Sequence, residues 1–196
     1  MQPIHFTAGP VTLREFTTDD VAAVLAVYGD AAATRHLSFE PRTEDETRAI
    51  VERAIGAAQA DPRTEYGLAV TRASDGQLIG FGRLALDPHQ TRGATMGFAL
   101  RPDTWGQGYG TATVRALLGL AFGPLSLHRV WGARSPANDA SAATMSKAGM
   151  VEEGRIREHI QKGGQWRDSI VHAILDREWA RQRALAVDRL YNVSRN

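Results

Sequence analysis

One strand–loop–helix passage narrows the fold of this chain more than any other. It reads Leu100-Arg101-Pro102-Asp103-Thr104-Trp105-Gly106-Gln107-Gly108-Tyr109-Gly110-Thr111. A β-rich run, Ala94 to Leu100, leads into it. A helical run from Thr111 to Phe122 follows, with Val114, Leu117, Leu118 and Ala121 on one face. Glycines let successive backbone N–H groups turn toward one point, and a helix N-terminus adds a partial positive charge. Such a loop suits a phosphate or pyrophosphate. It equally suits a tight turn that needs only positive-φ positions, and the loop alone leaves both readings open. The P-loop pattern fails, because Thr111-Ala112 stands where Lys-Ser/Thr is required. The dinucleotide pattern fails at Thr111 and Thr113, and the loop follows several strands rather than the first.

The rest of the chain surrounds this passage with an alternating order of elements. Val11 to Phe16 alternates as a strand, Thr18 or Asp19 caps a helix that Gly29 ends, and Thr43 with Glu46 forms a capping box for a second helix to about Ala60. Tyr66–Arg72, Leu78–Leu86 and Ala94–Leu100 read as an antiparallel meander, with Ser74-Asp75-Gly76 as its first turn. After the glycine loop come a strand at Arg129–Ala133 and a helix capped by Asn138 or Asp139 and ended by Gly149. Strands at Val151–His159 and Arg167–Leu175 then flank the Lys162-Gly163-Gly164 turn, and a last helix starts near Asp176. The strand–helix–strand unit in the middle implies a right-handed crossover and a parallel pair inside a mixed sheet.

Composition removes several function classes. The 196 residues fit one domain, long enough to bury roughly 70% of its unfolded surface without staples. Lys plus Arg is 23 against 22 Asp plus Glu, and no charge excess calls for nucleic acid or an anionic membrane. No cysteine is present, which excludes disulfides, thiolate metal sites and a Cys nucleophile. The histidines show no metal spacing, so no metal site is expected. No apolar run reaches ~18 residues and the start lacks the pattern of a signal peptide, so a cytoplasmic protein is expected. Asn192-Val193-Ser194 matches a glycosylation sequon and is read as chance.

Trp105-Gly106-Gln107-Gly108-Tyr109-Gly110 resembles the CoA-binding frame of the GCN5-related N-acetyltransferase (GNAT) family, in the form found in its RimJ/RimL-like, ribosomal-protein branch. The resemblance continues through Asn138-Asp139-Ala140-Ser141, Lys147-Ala148-Gly149-Met150, Gly154, Gly164, Trp166 and Asp168. It implies an α/β (α+β) GNAT fold. The central sheet would be mixed and mostly antiparallel, of about six or seven strands, with helices on both faces. A V-shaped splay is expected between the strands near 96–100 and 129–133, opened by a bulge in the first of them. One acyl-CoA N-acyltransferase domain would span residues 1–196, its core at about 11–179 and a C-terminal helix and tail beyond.

The resemblance further implies direct acetyl transfer from acetyl-CoA to an amine in a ternary complex. Trp105 and the backbone from Gln107 through Gly108, Tyr109 and Gly110 to Thr111 would hold the pyrophosphate. Main-chain groups of Phe98, Ala99 and Leu100 would pair with the pantetheine arm, and one N–H there would steady the developing oxyanion. Asn138 would orient pantetheine. Ser141 would contact the CoA sulfur or protonate it through water. The family's frequent tyrosine acid falls on Met145, which cannot donate a proton, so the acid is Ser141, water or none. Glu158 and His159 are the leading base candidates, with Glu40 and His36 behind them. His36, Phe39, Glu40 and Trp166 would border the acceptor, and Glu40 would attract a cationic amine. The acceptor is a protein N-terminus or a small-molecule amine, and relatives are often homodimers. The competing readings are a non-catalytic acyl-CoA-binding module and an interaction protein with a ligand-free glycine turn.

Overall fold

The computed structural model describes residues 3–193, with side chains for residues 3–185. The Asn192-Val193-Ser194 sequon lies outside the fully described residues. The strands are β1 His5–Ala8, β2 Val11–Arg14, β3 Glu65–Arg72, β4 Leu78–Leu86, β5 Gly93–Leu100, β6 Arg129–Arg134, β7 Val151–Lys162 and β8 Gln165–Leu175. The helices are α1 Val21–Tyr28, α2 Ala31–Thr34, α3 Glu44–Ala58, α4 Tyr109–Phe122, α5 Asp139–Lys147 and α6 Asp176–Val193. Single 3-10 turns at Thr18–Asp20 and Pro102–Thr104 lead into α1 and into the glycine loop. None of the described helices is long and apolar enough to cross a membrane.

All eight strands form one sheet in the order β1-β2-β3-β4-β5-β6-β8-β7, so the expected six or seven is corrected to eight. The added strand is β1, which pairs antiparallel with β2 across Gly9, at φ +59, and Pro10. Among the described residues only the β5–β6 pair is parallel, because α4 carries the chain back between them. Alternation along β3 sends neighbours to opposite layers. Leu68 joins Leu84, Leu117 and Leu118 beneath α4, while Ala69 joins Val24, Val51 and Ala99 beneath α1 and α3. The sheet is thus covered on both faces.

The splay arises differently from expectation. β5 keeps an unbroken register with β4 from Leu86↔Ala94 to Gly80↔Leu100, so it carries no bulge. β6 is likewise held along its length by β8, from Arg129↔Leu175 to Arg134↔Ile170. Between them, parallel pairing covers only Gly93–Thr95 against Arg129–Trp131 and then ends. Each arm of the V has one firm neighbour and loses the other. The bulge of this region sits in β7: Ile156 opposes Ser169 and Ile160 opposes Arg167, which inserts two extra residues on the β7 side.

Candidate active site

The shape of the glycine loop is set by its own backbone. Gly106 (φ +73) and Gly108 (φ +85) hold left-handed conformations, and a Cβ at either would meet no protein atom within 4 Å. Their need is therefore conformational rather than steric. The Trp105 indole Nε1 donates to Leu100 O at 2.9 Å, tying the loop to the end of β5. Gln107 Nε2 donates to Asp103 O at 2.9 Å, and Arg101 grips the Asp103 carboxylate with two donors. α4 begins at Tyr109, two residues before Thr111, with Gly108 as its N-cap. Ala112 N–H is the first to find a helical acceptor, Gly108 O. The amides of Gly106, Gln107, Gly108, Tyr109, Gly110 and Thr111 donate to no acceptor among the described residues. Six unsatisfied N–H groups at a helix N-terminus suit a diphosphate. Gly110 has a separate role. A Cβ there would lie 3.4 Å from Thr144 Cγ2, so it marks the close approach of α4 and α5.

Where β5 and β6 part, a crevice of about 330 Å³ opens. At its apex a Cβ on Gly132 would stand 3.1 Å from Met96 O, so the two strands approach closely there before diverging. Met96, Gly97 and Phe98 form one wall, and Trp131, Ala133 and Arg134 the other. Past Thr95 the side of β5 that faced β6 has no strand partner, which leaves an edge for an extended ligand arm. Ala99 and Leu100 turn their side chains into the core, so any contact they make is through the main chain.

α5 brings Asn138, Ser141 and Met145 to the crevice, at i, i+3 and i+7. Asn138 caps the helix, its Oδ1 accepting from Ser141 N–H at 3.0 Å. Its Nδ2 has no acceptor among the described residues and is free to donate. The Ser141 hydroxyl is likewise uncommitted. Met145 is buried, only 2% exposed, and lines the crevice with a thioether that cannot supply a proton.

The last hairpin and the turn after α2 close the far side. Lys162 Nζ donates to Thr34 O at 2.7 Å and Arg35 O at 3.2 Å, and Arg167 Nη1 donates to His36 O at 2.8 Å. These bonds fix the His36–Phe39 segment against β7 and β8. His36, Phe39 and His159 all line the crevice. Burial lowers the His36 pKa most, followed by the positive charges of Arg35, Arg167 and Lys162; Asp139 opposes them. His36 is therefore neutral near pH 7 and able to accept a proton. The β7 bulge carries His159 to the crevice, whereas its neighbour Glu158, at φ +49, spends its N–H on Asp168 Oδ1 and does not line it. Glu40 is also outside the lining and rests against the Gly163 turn. Trp166, 59% exposed opposite Gln161, is outside it too.

The charged lining residues that escaped sequence reasoning are Arg83, Arg134 and Arg167. Arg134 is held by His172 Nε2 (3.1 Å), Ser135 O, Pro136 O and Glu152. His172 is buried, and that burial, with Arg134 beside it, keeps its pKa low and its ring neutral enough to accept from Arg134. The signal that could have found Arg83 is a cation inside the apolar run Leu78–Leu86.

A strand leading into a loop of free amides, a V-shaped opening beside it and a capped helix across the gap is an architecture with known counterparts. Residues 11–151 match the acetyltransferase (GNAT) domain family. The chain belongs to that family. It is an acetyl-CoA-dependent acetyltransferase. Among its relatives, the uncharacterized N-acetyltransferase YnaD of Bacillus subtilis (strain 168) is 26% identical over 179 residues, covering 90% of this chain and 99% of that one. YdaF of the same organism, provisionally named a ribosomal N-acetyltransferase, is 32% identical over 105 residues, 54% of this chain and 57% of its own. The spermidine N-acetyltransferase of Vibrio cholerae, solved with CoA and spermine, shares the fold with a TM-score of 0.75 at 22% identity, covering 87% of this acetyltransferase and 98% of its own chain.

Proposed function

We propose that this enzyme transfers the acetyl group of acetyl-CoA directly to a primary amine held in the same crevice, and that it lies in the RimJ/RimL-like branch. The observation that carries this reading is the row of six unpartnered amides, Gly106 to Thr111, in the loop that follows the unpaired end of β5. The donor set fits the group: backbone N–H groups and a helix N-terminus for a diphosphate, an unpaired strand edge for pantetheine, and Asn138 Nδ2 across the gap. Acetyl-CoA supplies an activated carbonyl carbon and a thiolate leaving group.

The protein's own residues do the rest. His36 takes the proton from the acceptor ammonium, so that the free amine nitrogen can attack; His159 stands as the second basic group at the crevice. Attack on the thioester carbonyl would form the C–N bond and break the C–S bond, the sulfur keeping the electron pair, and the second proton shed by the nitrogen would pass to the departing thiolate. Ser141 presents a hydroxyl where the thiolate departs, and Met145 contributes no proton. A thiol of ordinary pKa, ~8.5, leaves without strong acid assistance, so the methionine is compatible with turnover. The test is thiol release from acetyl-CoA with a panel of amines, alongside calorimetric CoA binding. CoA binding with no turnover across a broad panel would return the binding-module reading; failure to bind CoA would remove the site assignment.

A further inference from the structure

The charge inventory of the crevice points to the acceptor, an inference that rests on the acetyltransferase reading above. Among the described residues, no Asp or Glu lines the crevice, while three arginines do. Two of the three are already paired, Arg83 with Glu65 and Arg134 with Glu152. Glu40 lies against the hairpin turn, Asp139 heads α5, and Glu65 lines the neighbouring cavity, where it accepts from Arg83 Nε at 2.7 Å. Arg134 has its donors committed to protein partners. Arg167 does not. One guanidinium nitrogen serves His36 O, its Nε is buried without an acceptor, and no carboxylate among the described residues lies within ion-pair distance. Burial alone acts on its pKa, and lowers it, with no anion nearby to raise it. Arginine stays charged regardless, so the site holds a partly buried cation that lacks a counter-ion.

We propose that the acceptor is a small amine that carries its own anionic group, a carboxylate or phosphonate a few bonds from the nitrogen, which Arg167 binds with Arg83 in support. With Arg83 paired to Glu65 and Arg134 to Glu152, the uncompensated charge is that of Arg167, and with no carboxylate in the lining it disfavours a polycationic acceptor such as a polyamine. The same charge favours the uncharged form of a bound amine, which is the nucleophilic form. Room for the rest of such a molecule is present. A second cavity of about 430 Å³ shares Phe39, Phe81 and Arg83 with the crevice and extends over Phe16, Ile50 and Ala54, with Arg42, Glu46, Arg53 and Glu65 also in its lining. An amino acid, with its anion beside the amine and an apolar side chain, fits this arrangement.

The full-length chain is tested with acetyl-CoA and the proteinogenic amino acids, their α-carboxamides, 2-aminoethylphosphonate and spermidine. Thiol release is read for each, and binding to the CoA-loaded protein is read by calorimetry. At least one acid should exceed its own carboxamide in kcat/KM by roughly 10- to 100-fold, the range for one charge-assisted contact. Spermidine should not turn over. Arg167→Gln also frees the His36 carbonyl and so lowers kcat for acid and carboxamide alike, but it should additionally raise KM for the acid alone by a similar factor, bringing the acid-to-carboxamide ratio of kcat/KM close to one, and leave CoA affinity unchanged. Arg167→Lys should recover part of the preference. Should Arg167→Gln not fold, Arg83→Gln on the opposite wall should show the same selective loss. Equal use of acid and carboxamide, turnover of spermidine, or acids that neither react nor bind the CoA-loaded protein would each overturn the proposal while CoA binding keeps the acetyltransferase site standing. Absence of CoA binding would overturn both.

Discussion

Replacing Gly108 by valine separates the conformational role of the loop from its binding role. Gly108 sits at φ +85, ψ −8 as the N-cap of α4, and a Cβ there meets no protein atom within 4 Å. The fold therefore loses only the left-handed backbone penalty, ~1–2 kcal/mol for an L-residue. For a chain of this size that is about 2–8 °C in Tm. Gly76, at φ +72 in the β3–β4 turn and equally free of neighbours, supplies a matched control. Gly76→Val should lose a similar amount of stability and keep CoA affinity. Gly108→Val should lose CoA affinity by roughly 10- to 100-fold, because misdirecting even one charge-assisted N–H costs about 1.5–3 kcal/mol. Thermal denaturation without ligand and calorimetric CoA titration of both variants provide the comparison. A folded Gly108→Val protein that binds CoA as tightly as Gly76→Val would refute the assignment of these amides to the diphosphate.

Three further outcomes follow from individual contacts. Asn138→Asp keeps an oxygen to cap α5 and loses the Nδ2 donor, so it should retain Tm yet weaken CoA binding. Asn138→Ala should weaken binding and also lose about 1 kcal/mol of stability in denaturant titration. For His36, whose pKa lies below the ordinary ~6.5, the basic form is active. The kcat/KM profile should therefore stay flat through neutrality and fall only below that range. His36→Gln should remove this acid limb and reduce kcat ~10²- to 10⁴-fold, and an unchanged limb would count against it as base. Burial raises the Asp20 carboxyl, but hydrogen bonds from Arg14 and Thr17 outweigh it, leaving a net lowered pKa. Its contribution is present above the unfolded carboxyl pKa of ~3.9 and is lost as pH falls through the lower folded value. Asp20→Asn should cost about 1–3 kcal/mol at neutral pH, and the difference from the parent should vanish in strong acid, as read by denaturation midpoints.

The loop was legible because glycine has few reasons to recur at Gly106, Gly108 and Gly110, and two of the three hold positive φ. Asn138 and Ser141 were legible because capping chemistry fixes their spacing. β1 was missed because four residues at an edge carry too little alternation to register, although Gly9-Pro10 marks its turn. The misplaced bulge has a similar cause. A widened gap between strands can come from ladder termination as easily as from an inserted residue, and only pairing distinguishes the two. The β7 bulge depends on the register of β8, which no local pattern encodes, so the sequence could not rank His159 above Glu158 at the crevice. The basic character of the acceptor side was hidden for the same reason. Arg83, Arg134 and Arg167 come from three strands far apart in the chain, while Glu40, which suggested a cationic acceptor, ends beside the hairpin turn.

Amide resonances of the 15N-labelled protein, followed as acetyl-CoA is titrated in, test the central claim most directly. The largest shifts should fall on Gly106 through Thr111, with a second group on Met96 to Phe98 along the unpaired edge of β5. Saturation with acetyl-CoA that leaves both groups in place, while amides elsewhere move, would contradict it.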